Sequence, residues 1–132
     1  MDVKSREEII KFAQKLNSTN LSPLRSGNIS LKAQNNNEAG FLITPSGKKY
    51  DSLKADDIVF VSLEGRYDEK GLQPSSEWRF HKDIYLKKAD AKAVVHAHSP
   101  HATAVSAHNK DIPAFHYMIA LALSLIHISE PT

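Results

Sequence analysis

Four short runs of aliphatic, β-branched and aromatic residues, Ile29-Ser30-Leu31, Phe41-Leu42-Ile43, Ile58-Val59-Phe60-Val61 and Ala93-Val94-Val95, are separated by turn-forming sequence and by stretches with helical spacing. Runs of three or four such residues, bounded by turns, read as strands. With no cysteine among 132 residues, neither disulfides nor thiolate metal sites are available, so packing must hold the strands together. A chain of this size fits one domain, and alternating short strands and helices predict a layered α/β or α+β arrangement.

Ser5 with Glu8 forms a capping-box signature ahead of Ile9, Phe12, Ala13 and Leu16, which predicts an amphipathic helix at the start. Asn17 to Asn28 reads as a loop, being rich in Asn, Ser, Pro and Gly. The polar run Gln34 to Glu38 predicts a turn joining the first two strands in a hairpin, which ends in Thr44-Pro45-Ser46-Gly47. Pro74-Ser75-Ser76-Glu77 predicts a second helix start with a serine as cap, followed by Trp78, His81, Ile84, Tyr85 and Lys88. Pro100 to His108 reads as a short helix and Ile112-Pro113-Ala114 as an extended connection. No repeat or internal domain boundary is visible.

Charge excludes little. The formal net charge is +2, and the basic residues are scattered among carboxylates without forming a stripe, so nucleic acid is not an expected partner. No apolar stretch approaches the ~20 residues needed to span a bilayer, so no membrane association is expected. The charged N-terminal sequence lacks the apolar segment of a signal peptide, and a cytoplasmic location is expected.

Several clusters could carry chemistry, and each has a plainer reading. Gly27-Asn28 and Ser46-Gly47 lie beside strands, where exposed backbone N–H groups can hold an anion or simply make a turn. Ser75-Ser76 offers two hydroxyls at a helix start, either to an anion or as an ordinary cap. Glu77 follows in the first turn, where the helix dipole favours a carboxylate whether or not it does chemistry. His96 and His98 would share one face of an extended strand, as a metal pair or as one core histidine with an exposed neighbour. His101 and His108 read as surface residues, and His81 as a packing residue on its helix.

In order and spacing, the segments around Gly27-Asn28-Ile29-Ser30, Ile43 to Gly47, Pro74 to His81 and Val94 to His98 resemble the class II aldolase/adducin family, and Pro113 to Ala120 extends the match. The resemblance implies a three-layer fold with a mainly antiparallel central sheet between helices. It implies a zinc enzyme cleaving a ketose 1-phosphate, such as L-fuculose 1-phosphate, into dihydroxyacetone phosphate and an aldehyde, with the metal as Lewis acid toward the enediolate charge. By the same resemblance His96 and His98 match two zinc ligands, and Glu77 matches a carboxylate that ligates the resting metal or moves protons. Gly27, Asn28, Ser46, Gly47, Ser75 and Ser76 correspond to the phosphate cradle. Tyr117 matches an acid acting in a neighbouring subunit's site, a role that requires an oligomer, and the resemblance implies a homotetramer. Leu24-Arg25-Ser26 departs from the smaller residues many members carry there, so that Arg25 would add a phosphate contact or alter substrate size. Sugar-phosphate epimerases and dehydratases share these motifs, and a non-catalytic, adducin-like oligomerisation module is the alternative outside enzymology.

Residues 123–132 fit neither the family nor a domain ending and resemble a translated sequencing-library adapter, which discounts His127 as a ligand. Residues 1–122 then form the N-terminal part of a single, C-terminally truncated domain, with the third zinc histidine missing. The 132-residue polypeptide itself is expected to bind zinc poorly and to lack aldolase activity.

Overall fold

The first helix, α1 (Val3–Ser18), begins earlier than the Ser5 and Glu8 pair suggests. Its cap is Asp2, whose carboxylate accepts the Ser5 N–H at 3.3 Å and also the Ser5 hydroxyl. Ser5, expected as the cap, is thus a helical residue that serves one. Ile9, Ala13 and Leu16 form the buried stripe, whereas Phe12 falls outside it and is 44% exposed. The helix runs to Ser18, so the loop expected from Asn17 starts two residues later. The computed structural model describes residues 2–24 and 26–110; Arg25, Tyr117, His127 and residues 123–132 therefore lie outside the described residues.

Two compact units are distinguished, Met1–His98 and a segment starting at Ser99. In the first, β1 (Asn28–Asn35) and β2 (Glu38–Ile43) form the expected antiparallel hairpin. Its turn narrows to Asn36 and Asn37, both with positive φ (48° and 63°), a conformation asparagine tolerates better than most residues. β3 (Val59–Ser62) pairs with β2, and β4 (Ala93–His96) pairs with β1, giving the order β3-β2-β1-β4 with every pairing antiparallel.

Alternation along the strands then divides the sheet into two faces. Ile29 and Leu42 face α1, joining Ile9, Ala13 and Leu16 in one core that also takes in Tyr50, Leu53 and Ile58. Phe41, Ile43, Val61 and Val94 face α2 (Trp78–Lys87) and pack with Trp78 and Tyr85; the Phe41 and Tyr85 ring centroids are 5.3 Å apart. This is the three-layer arrangement of an antiparallel sheet between helices. Two short 3-10 turns, Tyr50–Ser52 and Ala55–Asp57, connect β2 to β3. Buried Arg6 on α1 donates to the carbonyls of Ala55 and Ile58, tying the helix to that connection.

Neither serine caps α2. Glu77 occupies the cap position without a side-chain cap bond, and Ser75 lies two residues earlier, its N–H donating to Thr44 O at 3.0 Å, its carbonyl accepting the Trp78 N–H at 3.0 Å and its Oγ accepting the Glu77 N–H at 3.4 Å. In the second unit, α3 (Pro100–Ala107) has Pro100 in its first turn and no buried residue; His101 and His108 are exposed, as expected.

The buried side of β2 and the exposed side of β4 should respond differently to substitution. Ile43→Val, at a site with 0% exposure, should lower the unfolding free energy by about 1 kcal/mol, while Val95→Thr, 60% exposed, should change it by less than about 0.5 kcal/mol. Urea denaturation of both variants checks this; equal losses would contradict the assigned faces.

Candidate active site

Two loops at one end of the sheet are joined by backbone bonds. Ser46 N–H donates to Gln73 O at 2.9 Å, Ser75 N–H donates to Thr44 O at 3.0 Å, and Pro45 forms an isolated bridge with Pro74. Serines almost thirty residues apart in sequence are thereby brought to one wall of a cleft. The opposing wall is the Gly27-Asn28 corner leading into β1. Gly27 is buried and cannot carry a side chain, since a Cβ would lie 2.8 Å from Ser22 Oγ, 2.9 Å from His96 O and 3.0 Å from Leu16. The Tyr50 hydroxyl, whose pKa burial pushes up, donates to Gly27 O and anchors the corner from below.

The resulting cleft encloses about 290 Å³ and is lined by Gly27, Asn28, Ser46, Gly47, Ser75 and Ser76, together with Ser26, Pro45, Lys48, Tyr50, Glu77 and His98. All six residues expected to cradle a phosphate thus share one cavity with two of the three expected metal donors. Gly47 adopts a positive φ of 74°, where glycine is unstrained. Lys48 brings a cation and pairs with Asp57 at 2.6 Å; that hydrogen bond is the main reason the Asp57 carboxyl is held below its usual range. Hydroxyls, a glycine turn and a lysine make a lining suited to an anion.

At the mouth of this cleft stand the other donors. The strand ends at His96, so His98 lies beyond it and the pair is not two residues of one regular strand, as the spacing suggests. The imidazoles meet nonetheless: the two Nε2 atoms are 2.7 Å apart, and His96 Nε2 is 3.5 Å from Glu77 Oε2. Buried Ser22 holds the turn by accepting the His98 N–H at 3.0 Å. One donor atom from each of Glu77, His96 and His98 falls within 4.8 Å of the others. Two imidazole nitrogens and a carboxylate oxygen are a donor set that zinc and similar divalent ions accept.

Behind Glu77 lies a polar network that the sequence does not disclose. Asn28, opposite His96 in the sheet, donates its amide N–H to Glu77 Oε2 at 2.5 Å and accepts through Oδ1 from His81 Nε2. His81, fully buried, is more than the packing residue expected of it: its Nδ1 is 2.7 Å from Ser30 Oγ. Burial, reinforced by the nearby His96 and partly opposed by Glu77, lowers the His81 pKa to about 4. Ser22 and Tyr50 carried no signal in the sequence, and His81 was expected only to pack. Their partners are far away in sequence, and only the uncommon burial of polar residues beside apolar runs hints at them.

The described residues thus form an antiparallel sheet between helices, with a polar cleft at one end beside a carboxylate and two imidazoles. The profile of the "Class II Aldolase and Adducin N-terminal domain" matches residues 7–130, and the chain belongs to that family. It is 44% identical over 119 residues to the L-fuculose phosphate aldolase of Escherichia coli K12, covering 90% of this chain and 53% of that protein. It is 42% identical over 117 residues to the 5-methylthioribulose-1-phosphate/5-deoxyribulose-1-phosphate aldolase of Rhodospirillum rubrum, covering 89% of this chain and 51% of that protein. A solved L-fuculose 1-phosphate aldolase superposes with a TM-score of 0.81 at 35% identity, covering 92% of this chain and 56% of that one. The chain spans about half the length of the curated relatives it matches.

The neutral, buried His81 gives stability a defined pH dependence. Its folded pKa of about 4 lies below the 6.5 of the free side chain, so between those values the unfolded chain binds the proton that the fold refuses. The corresponding stability is fully present above pH 6.5 and is lost as pH falls toward 4, by about 3 kcal/mol, with the Asp57 loss following at lower pH. Denaturation curves at pH 7, 5.5 and 4.5 should show that decline, and a flat profile would contradict a neutral His81.

Proposed function

We propose that the full-length protein is a zinc-dependent aldolase that cleaves a ketose 1-phosphate, such as L-fuculose 1-phosphate, into dihydroxyacetone phosphate and an aldehyde. The observation that carries this reading is the single cleft in which Gly27, Asn28, Ser46, Gly47, Ser75 and Ser76 surround the space beside Glu77 and His98. A phosphate held by the hydroxyls and the glycine turn fixes the far end of the substrate, so its reacting carbons reach Glu77 in one orientation. His96, His98 and Glu77 would hold the zinc, with a further histidine supplied by sequence beyond this chain. When bound, the metal supplies Lewis-acid stabilisation of the negative charge that develops as the carbon–carbon bond breaks.

Glu77 is the proposed proton carrier. In the condensation direction the Glu77 carboxylate takes a proton from the third carbon, whose electron pair forms the new bond while Tyr117 gives its proton to the aldehyde oxygen. In cleavage the Tyr117 phenolate takes back the hydroxyl proton on the fourth carbon, the electron pair of the broken bond stays on the third carbon, and Glu77, protonated in the condensation direction, returns its proton there. Its N–H···O bond from Asn28 keeps one carboxylate oxygen engaged and orients the other. Tyr117, outside the described residues, is proposed to exchange the proton of the aldehyde oxygen in a neighbouring subunit of a homotetramer; a phenol with an ordinary pKa near 10 is a neutral donor at pH 7. A cytoplasmic location is part of the same proposal, and no helix among the described residues is long and apolar enough to cross a membrane. The metal-donor cluster favours an enzyme over a non-catalytic adducin-like module, which has no use for one.

A coupled assay for dihydroxyacetone phosphate, run on the full-length protein with L-fuculose 1-phosphate and 5-methylthioribulose 1-phosphate, tests the reaction. Release from either supports it; epimerisation of ribulose 5-phosphate with no release from the 1-phosphates would replace it with the epimerase alternative. The 132-residue chain alone is expected to be inactive and to bind zinc weakly. In the full-length protein, Glu77→Gln should lower turnover by about 10²–10⁴-fold while phosphate binding persists, and normal turnover would remove Glu77 from the mechanism. His96→Ala should abolish stoichiometric zinc, measured by elemental analysis; unchanged zinc content would refute the ligand assignment.

A further inference from the structure

Tyr85, Ser30, His81, Asn28 and Glu77 form an unbroken hydrogen-bonded line running from the core to the cleft. Ser30 Oγ lies 2.8 Å from Tyr85 Oη and 2.7 Å from His81 Nδ1, His81 Nε2 bonds Asn28 Oδ1, and Asn28 Nδ2 donates to Glu77 Oε2 at 2.5 Å. Tyr85, Ser30, His81 and Asn28 are all buried, with exposures of 2%, 0%, 0% and 4%. Water therefore cannot substitute for a partner without displacing a side chain.

Donor and acceptor roles propagate along the line from its only fixed end. An ionised carboxylate accepts and does not donate, so Asn28 must turn its NH2 toward Glu77 and its oxygen toward His81. That oxygen can only accept, so His81 Nε2 must carry the hydrogen. With the ring neutral, Nδ1 is then an acceptor, Ser30 donates to it, and Tyr85 donates to Ser30. Each group has one role, and reversing any one of them sets two acceptors or two donors against each other. We propose that His81 is a positioning residue, held in its Nε2–H form to fix which end of the Asn28 amide faces Glu77 and thereby to aim the Glu77 carboxylate. Without that ring, the buried Asn28 oxygen loses its donor, and the amide is held by Glu77 alone.

The orientation is a property of the fold, while its consequence for metal binding rests on the aldolase reading. Long-range ¹H–¹⁵N correlation on the 132-residue protein at pH 7 reads the tautomer of His81 directly. The Nε2–H form alone is expected; the Nδ1–H form, or an equal mixture, would overturn the proposal. Ser30→Ala, which touches neither cleft nor donors, should retain the Nε2–H form, because Asn28 Oδ1 still accepts from Nε2, and a switch to the Nδ1–H form would show that Asn28 does not set it. In the full-length protein, His81→Phe should weaken zinc binding about tenfold, whereas Ile43→Val, a purely core change, should leave it within about twofold. Equal effects would reduce His81 to a packing residue. Should His81→Phe not fold, His81→Gln, whose side-chain amide can donate to Asn28 Oδ1 as the ring does, should keep zinc affinity within about threefold of the unmodified protein, and a tenfold loss would overturn the proposal. Failure of the unmodified full-length protein to take zinc would contradict the metal reading, and the tautomer would then decide the role of His81 by itself.

Discussion

The register of β1 against its two neighbours is the constraint on which the rest depends. Ser30 lies opposite both Ile43 and Val94, and two residues earlier Asn28 lies opposite His96. Because side chains alternate across a sheet, a slip of one residue would turn Asn28 and Ser30 toward α1 and send Ile29 to the α2 side. Such a slip would expose the apolar face that Ile9, Ala13 and Leu16 cover and break the contact between Asn28 and Glu77 at once. Core and site are therefore specified by a single alignment, and the apolar burial that stabilises the sheet also holds the polar end in place.

That polar end carries an energetic burden which its network offsets. An unpaired buried donor or acceptor costs about 1–3 kcal/mol, and Asn28, Ser30 and His81 are all inaccessible to solvent or nearly so. Each has a partner, and the line ends on Glu77, which is half-buried and can meet water or substrate. A fully satisfied network of this kind is rigid and holds the Glu77 carboxylate in one orientation. The adjoining loops achieve rigidity differently, through main-chain bonds between 44–46 and 73–75 and through a glycine corner where Gly27 has no space for a side chain.

Much of this was legible in the sequence, for physical reasons that also mark where legibility stopped. Strands announced by Phe41-Leu42-Ile43 and Ile58 to Val61 were readable because burial on a pleated surface selects apolar and β-branched residues. Helix starts were displaced, since Asp2, Ser5, Ser75 and Ser76 are all competent caps and only tertiary pairing, such as Ser75 with Thr44, decides among them. The residues expected as cradle and metal donors could be named from family spacing, yet the cleft that brings them together could not. Tyr50 and Ser22 act through a carbonyl and an amide far from them in sequence, and nothing in local periodicity reports a bond between His81 and Asn28.

The central claim is that one end of this sheet joins an anion cleft to a zinc site. Crystals of the full-length protein grown with zinc and inorganic phosphate, with data collected on both sides of the zinc absorption edge, test it most directly. The account predicts one anomalous peak per subunit bounded by Glu77, His96 and His98, with phosphate density between the Ser46-Gly47 and Ser75-Ser76 loops. Zinc ordered elsewhere while those three side chains retain their present contacts, or phosphate absent from the cleft at saturating concentration, would contradict it.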